Sequence, residues 1–500
     1  MTNHLYETLI APNLDRQSCF LSCDGVEITF AQFSSRSAQI AHALTANGIT
    51  ANDRVIVQAA KSPEMVMLYA ATIQTGAVFL PLNTGYTQDE LSYFIKDATP
   101  KIIVCDQSAE IDLMPLADHV GAQLLTLNAD GTGTLMEASN GQPTQFEPVP
   151  RGPDDLAALL YTSGTTGRSK GAMLTHQNLA ANAQVLVDAW QITDADTLIH
   201  ALPIFHTHGL FVAINTSLIA GAKINFMRNF ELDTIADALP HSTLMMGVPT
   251  FYTRLLTDAR LDKAIVKNMR LFISGSAPLL AETHDAFAAR TGHRILERYG
   301  MTETNMNTSN PYAGDRIAGT VGMPLDGIEV RLTDPKTGAV LPNVEIGMIE
   351  VRGPNVFKGY WKMPEKTAEE LRADGFFITG DLGQFNDAGY LSIVGRQKDL
   401  IIAGGYNVYP KEIEDVLNDI EGIDESAVFG VPHPDFGEMI IAAIIAETGK
   451  DIDIDTVQGL VAEKLARFKH PRQFKILPSL PRNTMGKVQK NILRKIHLKP

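Results

Sequence analysis

Residues 161–171 read "YTSGTTGRSKG", directly after the apolar run "LAALL". A short buried strand that empties into a loop of glycines and hydroxyl side chains can present backbone N–H groups to phosphate oxygens, because glycine allows close approach. The spacing is not that of a P-loop, in which a lysine directly follows the second glycine; here Lys170 comes well after Gly167. It also lacks the G-x-G-x-x-G of a dinucleotide-binding turn. By composition alone the stretch could equally be a flexible surface loop. Outward from it, "DRVIVQAA", "KIIVCD", "AKINFM" and "MRLFISG" read as buried strands. Between them "SRSAQIAHALTAN", "HQNLAANAQVLVDAW" and "LAETHDAFAART" repeat apolar residues at helical spacing. This alternation predicts an α/β body with helices against mostly parallel sheets.

From 320 to 395 the texture changes to "GIEVRLTD", "GMIEVRG" and "GYLSIVG", strands parted by Gly, Pro and Asp turns, which predicts a β-rich subdomain. "GRQKDLIIAGGYNVYPKEIEDVLNDI" then reads as strand, glycine turn and a helix beginning near Pro410, and "DTVQGLVAEKLARF" as a further helix. The expected division is an N-terminal body over 1–395 and a small, mobile α+β domain over 396–500, with the charged stretch Arg396–Asp399 as candidate hinge.

With 57 acidic against 42 basic residues and a net charge of -15, a broad electrostatic surface for nucleic acid or anionic lipid is excluded, and the expected partners are small molecules. No stretch has the length of apolar residues that spans a bilayer, and the N-terminus lacks a basic segment followed by an apolar run, so a cytoplasmic protein is expected. The cysteines Cys19, Cys23 and Cys105 match no zinc spacing and read as free thiols. His206 and His208 in "HTH" lack a neighbouring His or Cys cluster, so no metal pair is expected there.

"YTSGTTGRSKG", "YGMTE" (299–303), "TGD" (379–381), "GRQKD" (395–399), "GGYNVYPKEIE" (404–414) and "PRNTMGKVQK" (481–490) stand in the order found in the adenylate-forming superfamily of acyl-CoA synthetases, peptide-synthetase adenylation domains and firefly luciferase. The chain resembles that superfamily over essentially its whole length. The resemblance implies a two-step reaction. A carboxylate attacks the α-phosphorus of ATP and expels pyrophosphate, and a thiol then displaces AMP from the acyl adenylate. It also implies roles. Thr162, Ser163, Gly164, Thr165, Thr166, Gly167 and Lys170 hold the β and γ phosphates. Ser276, Ala277 and Pro278 border adenine, with Glu297 and with Tyr299 stacking on the base. Gly300, Met301, Thr302 and Glu303 form the turn at the α-phosphate, with Glu303 a ligand of Mg²⁺. Asp381 and Arg396 take the ribose, and Lys487 stabilises charge in the adenylation transition state. Gly404, Gly405 and Tyr406 line the path of CoA, and Lys398 is the hinge about which the small domain turns between steps.

One residue is out of place in that scheme. Arg298 precedes the "YGMTE" turn, where a small, apolar or amide side chain is usual, and Arg254 in "GVPTFYTRLL" is expected beside the same pocket. Two guanidiniums can clamp a second carboxylate. "HALPIFHTHGLF", "RLFISGSAPL" and "ERYGMTETNMNTS" are most similar to malonyl- and methylmalonyl-CoA synthetases, which implies a dicarboxylic acid as substrate and ATP and CoA as co-substrates. His206, Thr207 and Ser276 are expected to line the pocket and Met306 to limit room for an α substituent. If Arg298 instead pairs with a structural carboxylate, the substrate is an uncharged short-chain or aryl acid. A carrier-loading adenylation domain, a luciferase-like oxidase and a nucleotide-binding regulator without catalysis are the rival readings. No carrier-like segment follows "GKVQK", nothing singles out oxygen chemistry, and the intact Lys170, Glu303, Asp381, Arg396 and Lys487 speak against the regulator.

Overall fold

The apolar runs on either side of the glycine loop lie in a six-stranded sheet ordered Gln123–Thr126, Ile102–Cys105, Arg54–Gln58, Val78–Pro81, Leu156–Thr162, Lys170–Thr175. All neighbours are parallel except the last pair, an antiparallel hairpin whose register sets Thr162 opposite Lys170. Strands Val78–Pro81 and Ile102–Cys105 are buried at every position. Such continuous apolar runs are what a parallel sheet covered on both faces requires. This computed structural model describes residues 2–162, 169–342, 344–403, 406–433, 437–483 and 486–497, with only the backbone of 406 and 407. The chain forms two units, Met1–Glu329 with Val351–Phe377, and Val330–Glu350 with Ile378–Pro500.

The first unit carries a second sheet, of nine strands among the described residues. Its parallel centre runs Leu296–Met301, Leu271–Ser274, Leu244–Gly247, Thr197–His200, Lys223–Phe226 and Cys19–Cys23. The helices begin where their sequences supply caps. Thr29 and Gln32 form a capping box ahead of Phe30–Ala46, and Thr175 with Asn178 does so ahead of His176–Trp190. Trp190 ends the latter helix fully buried, its Nε1 donating to Ser309 Oγ at 3.0 Å. This ties the helix to the strand Asn305–Ser309 beside Arg298; truncating such a residue to Ala costs about 3–5 kcal/mol. From the last histidine of "HTH" onward the chain forms a π-helical turn, His208–Ile214. Such turns occur often at functional sites.

The β-rich stretch becomes a four-stranded sheet of Glu329–Thr333, Gly347–Arg352, Phe377–Phe385 and Leu391–Arg396. The rest of the second unit is α+β. Ile423–His433 and Gly437–Ala446 pair as a long antiparallel hairpin, and the helices Pro410–Asn418 and Ile454–Lys464 share a core with it through Ile413, Leu417, Val428, Ile440, Val457 and Val461. The helix expected over "DTVQGLVAEKLARF" stops at Lys464. Leu465 turns extended (φ -122°, ψ 151°) and packs against that core instead. Among the described residues no helix is long and apolar enough to cross a membrane.

Candidate active site

In the first unit the hairpin that carries the glycine loop places Lys170 at the head of its second strand. Ser163, Gly164, Thr165, Thr166 and Gly167 lie outside the described residues, while Thr162 Oγ1 donates to Lys170 O at 3.4 Å. The Lys170 ammonium donates to both oxygens of Glu370 at 3.1 Å and lies 4.1 Å from the centre of the Tyr360 ring. The Tyr360 hydroxyl in turn stands 2.6 Å from Glu370 Oε2 and 3.1 Å from Glu303 Oε1. Glu303 is buried on the turn after Leu296–Met301, its carbonyl accepting from the Phe357 amide at 2.8 Å. That turn needs Gly300, because a Cβ there would lie 1.9 Å from the carbonyl oxygen of Asn305. Burial pushes the Glu303 carboxyl up from its ordinary value, against the pull of Lys170 and Tyr360. Burial also opposes ionisation of Glu370, yet the Tyr360 hydroxyl, Lys366 and Lys170 hold its pKa below the usual carboxylate value.

Arg298 sits on the strand Leu296–Met301 opposite Ser309 and is 3% exposed. Its guanidinium packs against Gly275, where a Cβ would come within 2.4 Å of Cζ. Nε and Nη2 have no hydrogen-bond partner. Burial lowers its pKa to about 9, with Tyr252 and Glu297 acting in the other direction, so it remains a cation at neutral pH. Tyr252 is held by its own hydroxyl donating to Ile273 O at 2.6 Å. His208 Nδ1 stands 3.2 Å from Ser276 Oγ, and Ser276 takes a left-handed φ of 71°, costly for a serine and a mark of a constrained turn. Burial lowers the pKa of His206 to about 4, and burial with the neighbouring Arg298 lowers that of His208 far below its usual value, so both are neutral at pH 7. His206 Nε2, Thr207 Oγ1 and His208 Nε2 are likewise buried without partners. Buried polar atoms are nearly always satisfied, so this concentration of unpartnered atoms around a cation marks a candidate site for an anionic group.

The other expected residues of this unit fall around these two clusters. Glu297 is buried and its Oε1 accepts from the Leu279 amide at 3.2 Å, which braces the turn containing Ser276, Ala277 and Pro278. Tyr299 is buried opposite Thr308, and Met306 is buried with its backbone bracketed by the side-chain amide of Asn182 at 2.8 and 3.2 Å. Met301 and Thr302 are half-buried. Arg254 differs from Arg298. It is exposed on the helix Pro249–Leu256, its guanidinium 5.6 Å from the Phe230 ring centre. Tyr252, two positions earlier on the same helix, contributes to the field at Arg298; residues so spaced point to different faces.

In the second unit Asp381 and Arg396 face each other across adjacent strands, with Arg396 Nε 2.9 Å from Asp381 Oδ1. Lys487 follows the left-handed Gly486, and its amide donates to Asn483 Oδ1 at 2.9 Å. Burial, then Arg396, lower the Lys487 pKa to about 8, opposed by Asp381 and Asp399. Asp381, Arg396, Lys398 and Lys487 thus share one electrostatic environment. Lys398 is exposed on the turn Gln397–Asp399. Gly404 and Gly405 lie outside the described residues, and Tyr406 opens the strand Tyr406–Val408.

Glu370, Tyr360, Tyr252 and Gly275 complete these clusters without having been singled out in the sequence, and His208 was weighed there only as a metal ligand. Only Tyr360, after a glycine and just before the helix-starting Pro364, carried even a local signal.

A fold of this kind, with a glycine–threonine hairpin loop and a separate unit carrying Asp381, Arg396 and Lys487, defines a class. The family description "AMP-binding enzyme" matches residues 12–361 and "AMP-binding enzyme C-terminal domain" matches 412–487. The chain belongs to the AMP-binding enzyme family. More narrowly, it is 35% identical over 475 residues to a malonate–CoA ligase of Arabidopsis thaliana, covering 88% of this chain and 78% of that one. It is also 35% identical over 479 residues to the mitochondrial malonate–CoA ligase ACSF3 of Mus musculus, covering 89% and 81%. The crystal structure of ATP-bound MatB from Rhodopseudomonas palustris superposes with a TM-score of 0.98 at 54% identity, covering 99% of both chains.

Proposed function

We propose that the protein is an AMP-forming malonate–CoA ligase that condenses malonate with CoA at the expense of ATP through malonyl-AMP, with methylmalonate as a second candidate substrate. The observation that carries the choice of acid is Arg298, a buried cation whose Nε and Nη2 lack partners. A monocarboxylic acid would leave that charge unpaired, at a cost of several kcal/mol. The distal carboxylate of malonate completes it, with the neutral His208 and His206 as further donors or acceptors. Arg254 contributes from its exposed position, and Met306 bounds the space beside the α carbon.

The reacting carboxylate then attacks the α-phosphorus and pyrophosphate departs. Lys170, Thr162 and the loop 163–167 bind the leaving phosphates, and Thr302 lies at the α-phosphate. Ser276, Ala277, Pro278 and Tyr299 border the base. Asp381 accepts from the ribose hydroxyls while Arg396 orients it. Lys487 supplies a compact positive charge to the forming acyl–phosphate bond, where a fixed charge lowers the barrier more than solvent can. CoA approaches past Gly404, Gly405 and Tyr406, and its thiol displaces AMP. Because Lys487 and Gly405 match motifs of different half-reactions, the segment 396–500 is read as a domain that turns about Lys398 between them, against the body 1–395.

Mg²⁺ suits the donor set. It is a hard cation commonly held by one or two carboxylates and substrate phosphates. Glu303 would hold it, and the bound ion would neutralise phosphate charge. A cytoplasmic setting fits the free thiols Cys19, Cys23 and Cys105. The test is a panel of malonate, methylmalonate, succinate, propionate and benzoate with ATP and CoA, following AMP and acyl-CoA. Malonate is expected to lead, and a preference for propionate or benzoate would refute the dicarboxylate reading.

A further inference from the structure

Glu370 has no role in the scheme above, yet it takes hold of a residue that does. The Lys170 ammonium meets both Glu370 oxygens at 3.1 Å. We infer that Glu370 is a positioning residue for pyrophosphate release: it holds Lys170 when phosphates do not, and reclaims the ammonium as pyrophosphate leaves. The inference rests on the reading of Lys170 as a ligand of the β and γ phosphates.

Three features make the exchange feasible. The pair is partly open, with 15% of the Lys170 side chain and 22% of the Glu370 side chain exposed, so neither charge is sealed away from an incoming anion. Glu370 is not orphaned when Lys170 leaves, because Lys366 Nζ stands 3.0 Å from Oε1 and the Tyr360 hydroxyl 2.6 Å from Oε2. Leaving a buried charge without any partner is the costly event, and here it does not occur. Finally, the ammonium rests on the Tyr360 ring at 4.1 Å, a face that accommodates a cation in more than one orientation, and lysine's flexible stem with three donors allows a change of acceptor. A lysine with no counter-charge would bind pyrophosphate more tightly and keep it longer. A carboxylate competing for the same ammonium sets an upper limit on that affinity.

The experiment measures product inhibition by inorganic pyrophosphate during malonyl-CoA formation, together with KM for ATP and for malonate and the thermal midpoint, in Glu370→Gln, Glu370→Asp, Lys170→Met and the double variant Lys170→Met with Glu370→Gln. In Glu370→Gln, pyrophosphate inhibits at roughly three- to tenfold lower concentration, the KM for malonate is unchanged, and Glu370→Asp lies between this variant and the unaltered protein. In the Lys170→Met background the effect of Glu370→Gln disappears. Unchanged or weaker inhibition in Glu370→Gln, or the same tightening with Lys170 absent, overturns the inference while leaving the role of Lys170 intact. If Lys170→Met itself leaves inhibition by pyrophosphate unaltered, the phosphate reading of Lys170 falls and takes the inference with it. A residue that merely braced the helix end would lower the thermal midpoint and move no inhibition constant. Should Glu370→Gln fail to fold, Glu370→Asp carries the same comparison.

Discussion

The surroundings of Lys170 and those of Arg298 treat charge in opposite ways. Around Lys170 the charges of the described residues have partners: the ammonium is shared between a carboxylate and an aromatic face, and Tyr360 bridges Glu370 and Glu303. Around Arg298 a buried guanidinium is left with two unpaired nitrogens beside two neutral histidines. A paired cluster can be rearranged at little cost, which suits phosphates that arrive and depart. An unpaired buried cation penalises a neutral neighbour, and in the proposed function that penalty is the source of the preference for a second carboxylate.

The contrast breaks most visibly at Arg298. Replacing it with Met should cost malonate about 2–5 kcal/mol in kcat/KM, while propionate loses little or gains. Because the residue removed was a desolvated charge, the thermal midpoint should hold or rise. Parallel loss with both acids would make Arg298 structural. Next in size is Lys487, which faces charges of both signs and so lies between the two extremes. Lys487→Ala should lose roughly 3 kcal/mol or more of transition-state stabilisation in malonate-dependent ATP–pyrophosphate exchange, yet convert preformed malonyl-AMP and CoA to product. Equal loss in both half-reactions would refute its assignment. On that assignment its charged form is the active one, and its pKa is depressed to about 8. Adenylation should therefore decline as pH rises through about 8, and thioester formation from malonyl-AMP should not share that limb; coincident profiles would contradict the assignment.

Smaller effects sharpen the comparison. Gly275→Ala places a Cβ against the Arg298 guanidinium and should cost about 1–3 kcal/mol through overpacking. It should raise the KM for malonate more than that for ATP, and a crystal structure of the variant should find the guanidinium displaced. Arg254→Ala, at an exposed position, should change malonate kcat/KM by less than about fivefold. A loss as large as that at Arg298 would mean that two arginines share the distal carboxylate equally.

Much of the fold was legible in the chain itself. Apolar periodicity is a local signal, so the strands at 54–58, 102–105 and 156–162, the helix at 176–190 and the helix Phe30–Ala46 from Ser35 onward could be read from neighbouring residues. Motif order carried the family, and one residue type at position 298 carried the suspicion of a second carboxylate. What a linear reading could not supply was the state of each charge. Lys170 and Glu370 are 200 positions apart, and nothing local to either says that they meet. Arg254 and Arg298 look alike as letters, but one is exposed over Phe230 and the other is buried against Gly275. Whether a cation is paired, solvated or left wanting a partner depends on which distant strands and turns close around it. The sequence by itself therefore determined the elements and their order, and only the tertiary structure decided which charges were already answered and which await the substrate.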